Sequence, residues 1–490
     1  MIGQDINMQG KISLPSHWRG EFFALMGLGL PMALTQLIQF SIYTVDTIML
    51  GRVGPEDLAA GAIGSVVYFF LWMLAAGPVM AVTPLVSQAL GANQNNYQDA
   101  RRSVRMALWV IFLMTPFIFL LLIFTEEIAL ALGQSPVLAH KAEDYVLALS
   151  LGLPFAMAVM ALRNFLATLG KTLIPLLLVA ITTLLNAGLN YIFIFGKFGA
   201  PRLELVGAGL ASTLATMIGF FLFVIYIHRD RHARRFDIFK RLYKLDLPRL
   251  KEVIRLGWPI SVSVIFEGML FNAAIFLVGL IGVIEVAAYQ IGLNVVTMAF
   301  MLPWGLSMAG AVRIGLSAGA KNISAVRRAA LVCMVSATLG MSMIALFVAL
   351  RPEFIAGIYI ETENPENHIL LGWVVGFLPI ACAFMVFDAM QVACNQLLRG
   401  LKDVTYPMFA TALSFWGVGF SFAYILSQHT SLGAYGVWYG LMSGLIMAAF
   451  LLGLRLYYLV WGQKEPDVWL ESLATLTSDT TNPEALNSKT

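Results

Sequence analysis

Three carboxylates lie inside stretches that otherwise read as hydrocarbon-soluble. Asp46 sits in FSIYTVDTIMLGRVG, Glu267 in GWPISVSVIFEGMLFNAAIFLVG and Asp388 in CAFMVFDAMQVACNQLLRGLKD. A charged Asp at the centre of a membrane helix costs about 2.5–3.5 kcal/mol, so such an acid faces protein or a water-filled cavity and marks a functional site by default. Each acid has polar company at helical spacing. At about 100° per residue, Thr35, Gln39 and Asp46 share a narrow stripe with Tyr43 beside it. Ser263 stands one turn before Glu267, and Gln391 and Asn395 follow Asp388 at i+3 and i+7. Asn186 and Asn190, with Thr182 above them, make a further stripe in TTLLNAGLNYIF. Carboxylates joined by amide and hydroxyl oxygens suit a proton or a small hard cation, and carboxylates also neutralise organic cations. One such residue alone could be helix glue worth about 0.6 kcal/mol. Three acids in one chain argue against that reading.

The elements that hold these acids follow from composition. Of 490 residues, 59% are hydrophobic and 12% charged, with mean hydropathy +0.80, against about 25% charged in soluble domains. The chain reads as an all-α polytopic membrane protein. Spanning runs are expected at 21–50, 58–85, 103–125, 143–169, 173–196, 205–228, 253–281, 287–312, 329–350, 368–398, 404–427 and 434–461, twelve transmembrane helices. Of the 31 Lys and Arg, all but Arg52, Lys141, Lys197, Arg202 and Arg351 fall on one side of that topology. The positive-inside rule then puts both termini in the cytoplasm. Residues 1–20 form a cytoplasmic N-terminal segment without the pattern of a cleaved signal, 21–228 a first lobe, 229–252 a basic cytoplasmic linker, 253–461 a second lobe and 462–490 a polar, disordered cytoplasmic tail.

The lobes repeat. A shift of 228 residues places Pro31 on Pro259, Gly51 on Gly279, Gly54 on Gly282, Gly64 on Gly292, Gly77 on Gly305 and Gly91 on Gly319. Both halves start on the same side, which makes this a parallel repeat of the kind found in transporters, with the transport site expected at the repeat interface. The acids do not follow the repeat. Asp46 aligns with Ala274 and Glu267 with Gln39, so two pseudo-symmetric six-helix lobes carry an asymmetric pair of polar clusters.

Other signals exclude other chemistries. Cys333, Cys382 and Cys394 have no metal or disulfide spacing, and Walker, HExxH and GxGxxG patterns are absent. GLSAG at Gly315 to Gly319 fits the GxSxG nucleophile pattern, yet ends a span and lacks His and Asp partners. The sequon at Asn322 falls on the cytoplasmic side. Met73, Met80, Met269, Met298, Met301 and Met308, with Phe300 and Trp304, could line an adaptable cavity, although packing accounts for most such residues.

VDTIMLGRVG in the first span, LNAGLNYIF in the fifth, FEG in the seventh, FDAMQ in the tenth and the following LRGLKDVTYP, in that order across two six-helix halves, resemble the multidrug and toxic compound extrusion (MATE) family, in particular its bacterial NorM-type branch. The resemblance covers about residues 20–461. It implies a V-shaped MATE-like fold and a secondary multidrug exporter, not an enzyme, which antiports small amphipathic, often cationic drugs against Na+ or H+ by rocker-switch alternating access. It implies no cofactor beyond that coupling ion, no nucleic-acid partner, contact with membrane lipid, and a monomer in the bacterial cytoplasmic (inner) membrane. Carried over, Glu267 and Asp388 match the C-lobe cation site, where Na+ is one candidate, and Asp46, Asn186 and Asn190 match the N-lobe proton and drug cluster. Gln39, Tyr43, Thr182, Gln391 and Asn395 would support them. Phe384 stands where some members have Tyr, which retains a cation-attracting face but no hydroxyl ligand. The competing readings are a lipid-linked oligosaccharide flippase of related architecture, an intramembrane enzyme and a passive channel.

Overall fold

A spanning segment meets no water in the hydrocarbon, so its N–H and C=O groups must pair within the segment and the apolar runs must coil into helices. The computed structural model describes residues 14–361 and 364–463, so most of the expected 1–20 segment and of the 462–490 tail lies outside the described residues. Among the described residues eleven helices are long and apolar enough to cross a membrane, and a bent helix pair raises the number to twelve. In chain order they are α1 (Trp18–Gly51), α2 (Pro55–Ala92), α3 (Tyr97–Leu122), α4 (Pro136–Ser150 with Leu153–Thr168), α5 (Leu173–Phe195), α6 (Glu204–Arg229), α7 (Leu247–Gly279), α8 (Val283–Gly319), α9 (Ile323–Leu350), α10 (Pro365–Gly400), α11 (Thr405–Gln428) and α12 (Ala434–Val460). Their outer faces expose large apolar side chains such as Phe112, Phe117, Phe276, Phe347, Phe409 and Phe450. On a membrane protein that surface is what lipid covers.

Two elements depart from straight spans. The run expected at 143–169 bends by 45° between Ser150 and Leu153, because Pro154 has no N–H to continue the helix. In α11, Leu413–Phe420 winds as a π-helix. π-Turns inside α-helices gather at functional positions, and this one lies against the stretch of α7 that carries Glu267.

The helices form two compact units. One comprises residues 35–261, the other 14–34 with 262–463. The division therefore falls inside α1 and inside α7, rather than at the ends of the 229–252 linker. Close packing explains the assignment. In the second unit a Cβ on Gly305 of α8 would stand 2.3 Å from the backbone of Ala33 in α1, and Glu21 of α1 forks onto Arg313 of α8 at 2.7 and 2.8 Å. The repeat-related Gly77 of α2 does the same in the first unit. Its Cβ would lie 2.2 Å from the carbonyl of Gly257 in α7, and its N–H donates to Ser261 Oγ at 3.2 Å. Small residues at such contacts let backbones approach. Gly305→Val is therefore expected to lower the thermal midpoint of the purified protein by several degrees, and an unchanged midpoint would refute the contact.

Charged contacts tie the linker down. Asp230 accepts from the N–H groups of His232 and Ala233 at 3.1 and 2.8 Å and pairs with Lys171. Asp246 pairs with Arg102 and accepts from the N–H of Arg249 at 3.2 Å. Burial pushes the Asp246 carboxyl up, but the Arg102 hydrogen bond, the Arg249 N–H and the nearby guanidinium charges outweigh it and hold it below the usual value of 3.8. A depressed folded-state pKa stabilises above the unfolded value and is lost as pH falls through the folded one. Acidification below about pH 4 is thus expected to speed cleavage of 230–246 by an acid-active protease in the wild type toward the rate of Asp246→Asn, whose cleavage should depend less on pH.

Candidate functional site

In the 35–261 unit the first cluster is built on α1, α5 and α6. Asn190 Nδ2 donates to Asp46 Oδ1 at 2.5 Å and to Asn186 Oδ1 at 3.2 Å. Asn186 Nδ2 donates to Ser212 Oγ at 2.9 Å, and Ser212 Oγ in turn donates to Asp46 Oδ2 at 3.5 Å. The i,i+4 spacing of the two Asn puts both amides on one face of α5, and that face meets α1. Asn186 and Asn190 are buried while Asp46 is half-buried, so the carboxylate is fixed from behind and still reachable. Tyr145, bonded to Ser65, lies within electrostatic reach of Asp46 and Tyr43. Gln39, two turns before Asp46, accepts from the buried guanidinium of Arg163 at 2.5 Å. Tyr43 is exposed. Thr182 donates to the Leu178 carbonyl at 2.7 Å and packs on Gly219 of α6.

The second cluster lies in the other unit. Glu267, half-buried on α7, and Asp388, buried on α10, are within each other's electrostatic reach, and Arg399 of α10 acts on Glu267. Trp416 Nε1, from the π-turn of α11, donates to the Phe266 carbonyl at 3.2 Å and so fixes the α7 backbone next to Glu267. Phe384, one turn before Asp388, is buried edge-on against Trp438 at 5.6 Å. Gln391 and Asn395 are buried beside Asp388. Asp388 Oδ1, both amide atoms of Gln391 and Asn395 Oδ1 lack hydrogen-bond partners. Buried polar atoms are normally satisfied by protein, water or an ion, so the three oxygens among them are free to meet water or an ion. Among the described residues no group of three or more His, Cys, Asp or Glu converges as a metal site.

Ser212, Arg163, Trp416 and Arg399 were missed as site residues by sequence reasoning. Ser212 hides among the small residues of GLASTLATMIG, and the two Arg pass for topology charges. Of the Met set, Met73 and Met308 are core and Met269 and Met298 exposed. Ser317 is fully buried and donates to the Arg313 carbonyl at 2.9 Å, which removes it as a nucleophile. Asn322 caps α9 through the Ala325 N–H.

The family model described as MatE matches residues 31–192 and again 259–425. The chain belongs to the MatE family. The two MatE matches begin 228 residues apart, the shift that aligns Pro31 with Pro259. Relatives called "Probable multidrug resistance protein NorM" include one from Mesorhizobium japonicum, 36% identical over 89% of this chain and 93% of its own length. Another, from Rhizobium meliloti, is 37% identical over 92% of this chain and 96% of its own. Among solved structures, the eukaryotic MATE transporter AtDTX14 superimposes with TM-score 0.82 at 19% identity, over 95% of this chain and all of that one. An outward-facing multidrug resistance MATE transporter does so with TM-score 0.81 at 21% identity, over 91% of this chain and 97% of that one. At those identities the MatE fold is what is shared. Membership of a transporter family removes the intramembrane enzyme reading.

Proposed function

We propose that this chain exports small amphipathic, often cationic drugs across the bacterial inner membrane in exchange for Na+ or H+, as a monomer with both termini cytoplasmic. The observation that carries the reading is the pair of carboxylate clusters, one inside each compact unit. The NorM relatives, named as probable multidrug resistance proteins, support drug export. Asp46 with Asn186 and Asn190 would receive the cationic part of a drug or a proton. Glu267 and Asp388, aided by Gln391, Asn395 and the face of Phe384, would receive the coupling cation.

Alternating access then needs only opposite preferences. A ligand shifts a conformational equilibrium by its differential affinity alone, so a cation that favours the outward state and a drug that favours the inward state exchange across the membrane. Expression in a bacterium stripped of its own exporters is expected to lower accumulation of a fluorescent lipophilic cation several-fold. Equal accumulation with verified insertion would overturn drug export.

A further inference from the structure

Residues 241–246 of the linker are stitched along α3. The Lys244 N–H closes a turn onto the Arg241 carbonyl at 3.0 Å, and Arg105 Nη1 donates to the same carbonyl at 3.3 Å. Trp109 Nε1 donates to the Leu242 carbonyl at 2.7 Å, the Asp246 N–H meets Met106 Sδ at 3.3 Å, and Arg102 pairs with Asp246. Arg241 takes a φ of 59°, a left-handed backbone that a residue with a side chain keeps only where its surroundings hold it. The turn is thus part of the fold. On α3, Arg101, Arg105, Trp109 and Phe112 follow at i, i+4, i+8 and i+11 within one stripe. That stripe runs from cations through an indole to Phe112, which is 65% exposed among the lipid-facing side chains, and Trp favours the boundary between membrane and water.

The outward side of the turn is amphipathic. Leu242, Tyr243 and Leu245 are exposed, Tyr243 at 75%, and the exposed cations Arg241 and Lys244 alternate with them. The nearby acids are taken, Asp237 by Lys240 and Asp246 by Arg102. Among the described residues Arg101, Arg241 and Lys244 form no ion pair. We infer that the Arg241–Lys244 turn is a docking surface for an anionic phospholipid in the leaflet that borders the linker. Arg241, Lys244 and the half-buried Arg101 supply the charge, because guanidinium and ammonium groups bind phosphate and a basic segment beside a membrane helix is drawn to anionic lipid. Leu242, Tyr243 and Leu245 rest against acyl chains continuous with the lipid on Phe112. A zwitterionic headgroup carries no net charge to answer the cations. Bound anionic lipid ties the segment between the two halves of the chain to the bilayer.

The test is hydrogen exchange of the 238–246 amides in full-length protein, held in nanodiscs of phosphatidylcholine alone or of phosphatidylcholine with phosphatidylglycerol. Phosphatidylglycerol is expected to slow exchange across 241–245 several-fold in the wild type. Arg241→Gln/Lys244→Gln is expected to lose that difference. Arg234→Gln/Arg235→Gln, which removes the same charge from exposed positions elsewhere in the linker, is expected to keep it. Unchanged exchange in the spanning helices shows that both variants are folded. Equal wild-type exchange in the two lipid compositions would overturn the docking surface. Loss of the difference in both double variants would leave only a general attraction of the basic linker and overturn the turn as its site. Equal slowing by inorganic phosphate in phosphatidylcholine discs would assign a free anion and overturn the lipid.

Discussion

Asp388→Asn and Glu267→Gln are each expected to abolish ion-driven drug efflux while leaving an inserted protein that still moves drug down its own gradient. The substituted amides keep the shape of the side chain and remove its charge. What remains of the cluster is one carboxylate in place of two, Glu267 and Asp388 being the acids within each other's electrostatic reach, so the charge that would hold a cation is halved. Loss of a buried charge partner costs about 2–5 kcal/mol in binding, which is about 30-fold or more in cation affinity. A cation that binds so weakly at working concentration no longer distinguishes the two states, and coupling fails although both states survive. The readout is uphill drug transport in vesicles, with downhill exchange as the control for integrity. Undiminished uphill transport in both variants would sink the assignment of the coupling site.

Asp46→Asn is the second large effect, and it is expected to separate drugs by charge. In the native cluster Asp46 accepts from Asn190 and Ser212, so its carboxylate is oriented by neutral donors and balanced by no hydrogen-bonded cation among these contacts. A cationic drug supplies that balance. Replacing the acid by an amide leaves an acceptor for Asn190 but no charge, and binding of a monocationic amphiphile is expected to weaken by about 30-fold or more. Binding of an uncharged amphiphile of similar size should change little. Fluorescence anisotropy with a matched cationic and neutral pair reads the difference. Equal weakening of both would mean that Asp46 shapes the cluster and does not bind the drug's charge.

Much of this arrangement is legible in the chain because hydrocarbon punishes charge. Asp46, Glu267 and Asp388 stand out for that reason, and the i,i+4 amides of Asn186 and Asn190 fall on the face that meets Asp46. The partners that complete the clusters are harder to read. Ser212 is a small residue on a helix rich in small residues, a composition that also serves helix packing. Arg163 and Arg399 look like positive-inside markers until their burial places one on Gln39 and the other near Glu267. The π-turn that brings Trp416 to Phe266 depends on tertiary packing, since π segments have no distinctive local code. Thr182 shows the opposite limit. Its spacing joins it to the Asn stripe, but its hydroxyl is used by the Leu178 carbonyl. Likewise the units divide inside α1 and α7, where Gly305 and Gly77 admit a neighbouring backbone, a contact for which a matched pair of glycines is the only trace in the sequence.

Antiport is tested most directly by drug efflux from proteoliposomes under an imposed sodium gradient without a pH gradient, and under a pH gradient without sodium. At least one of the two is expected to drive a monocationic drug above its equilibrium distribution, with Asp388→Asn unresponsive to the same gradient. Drug movement that follows neither gradient and stops at equilibrium in the wild type would contradict secondary antiport itself.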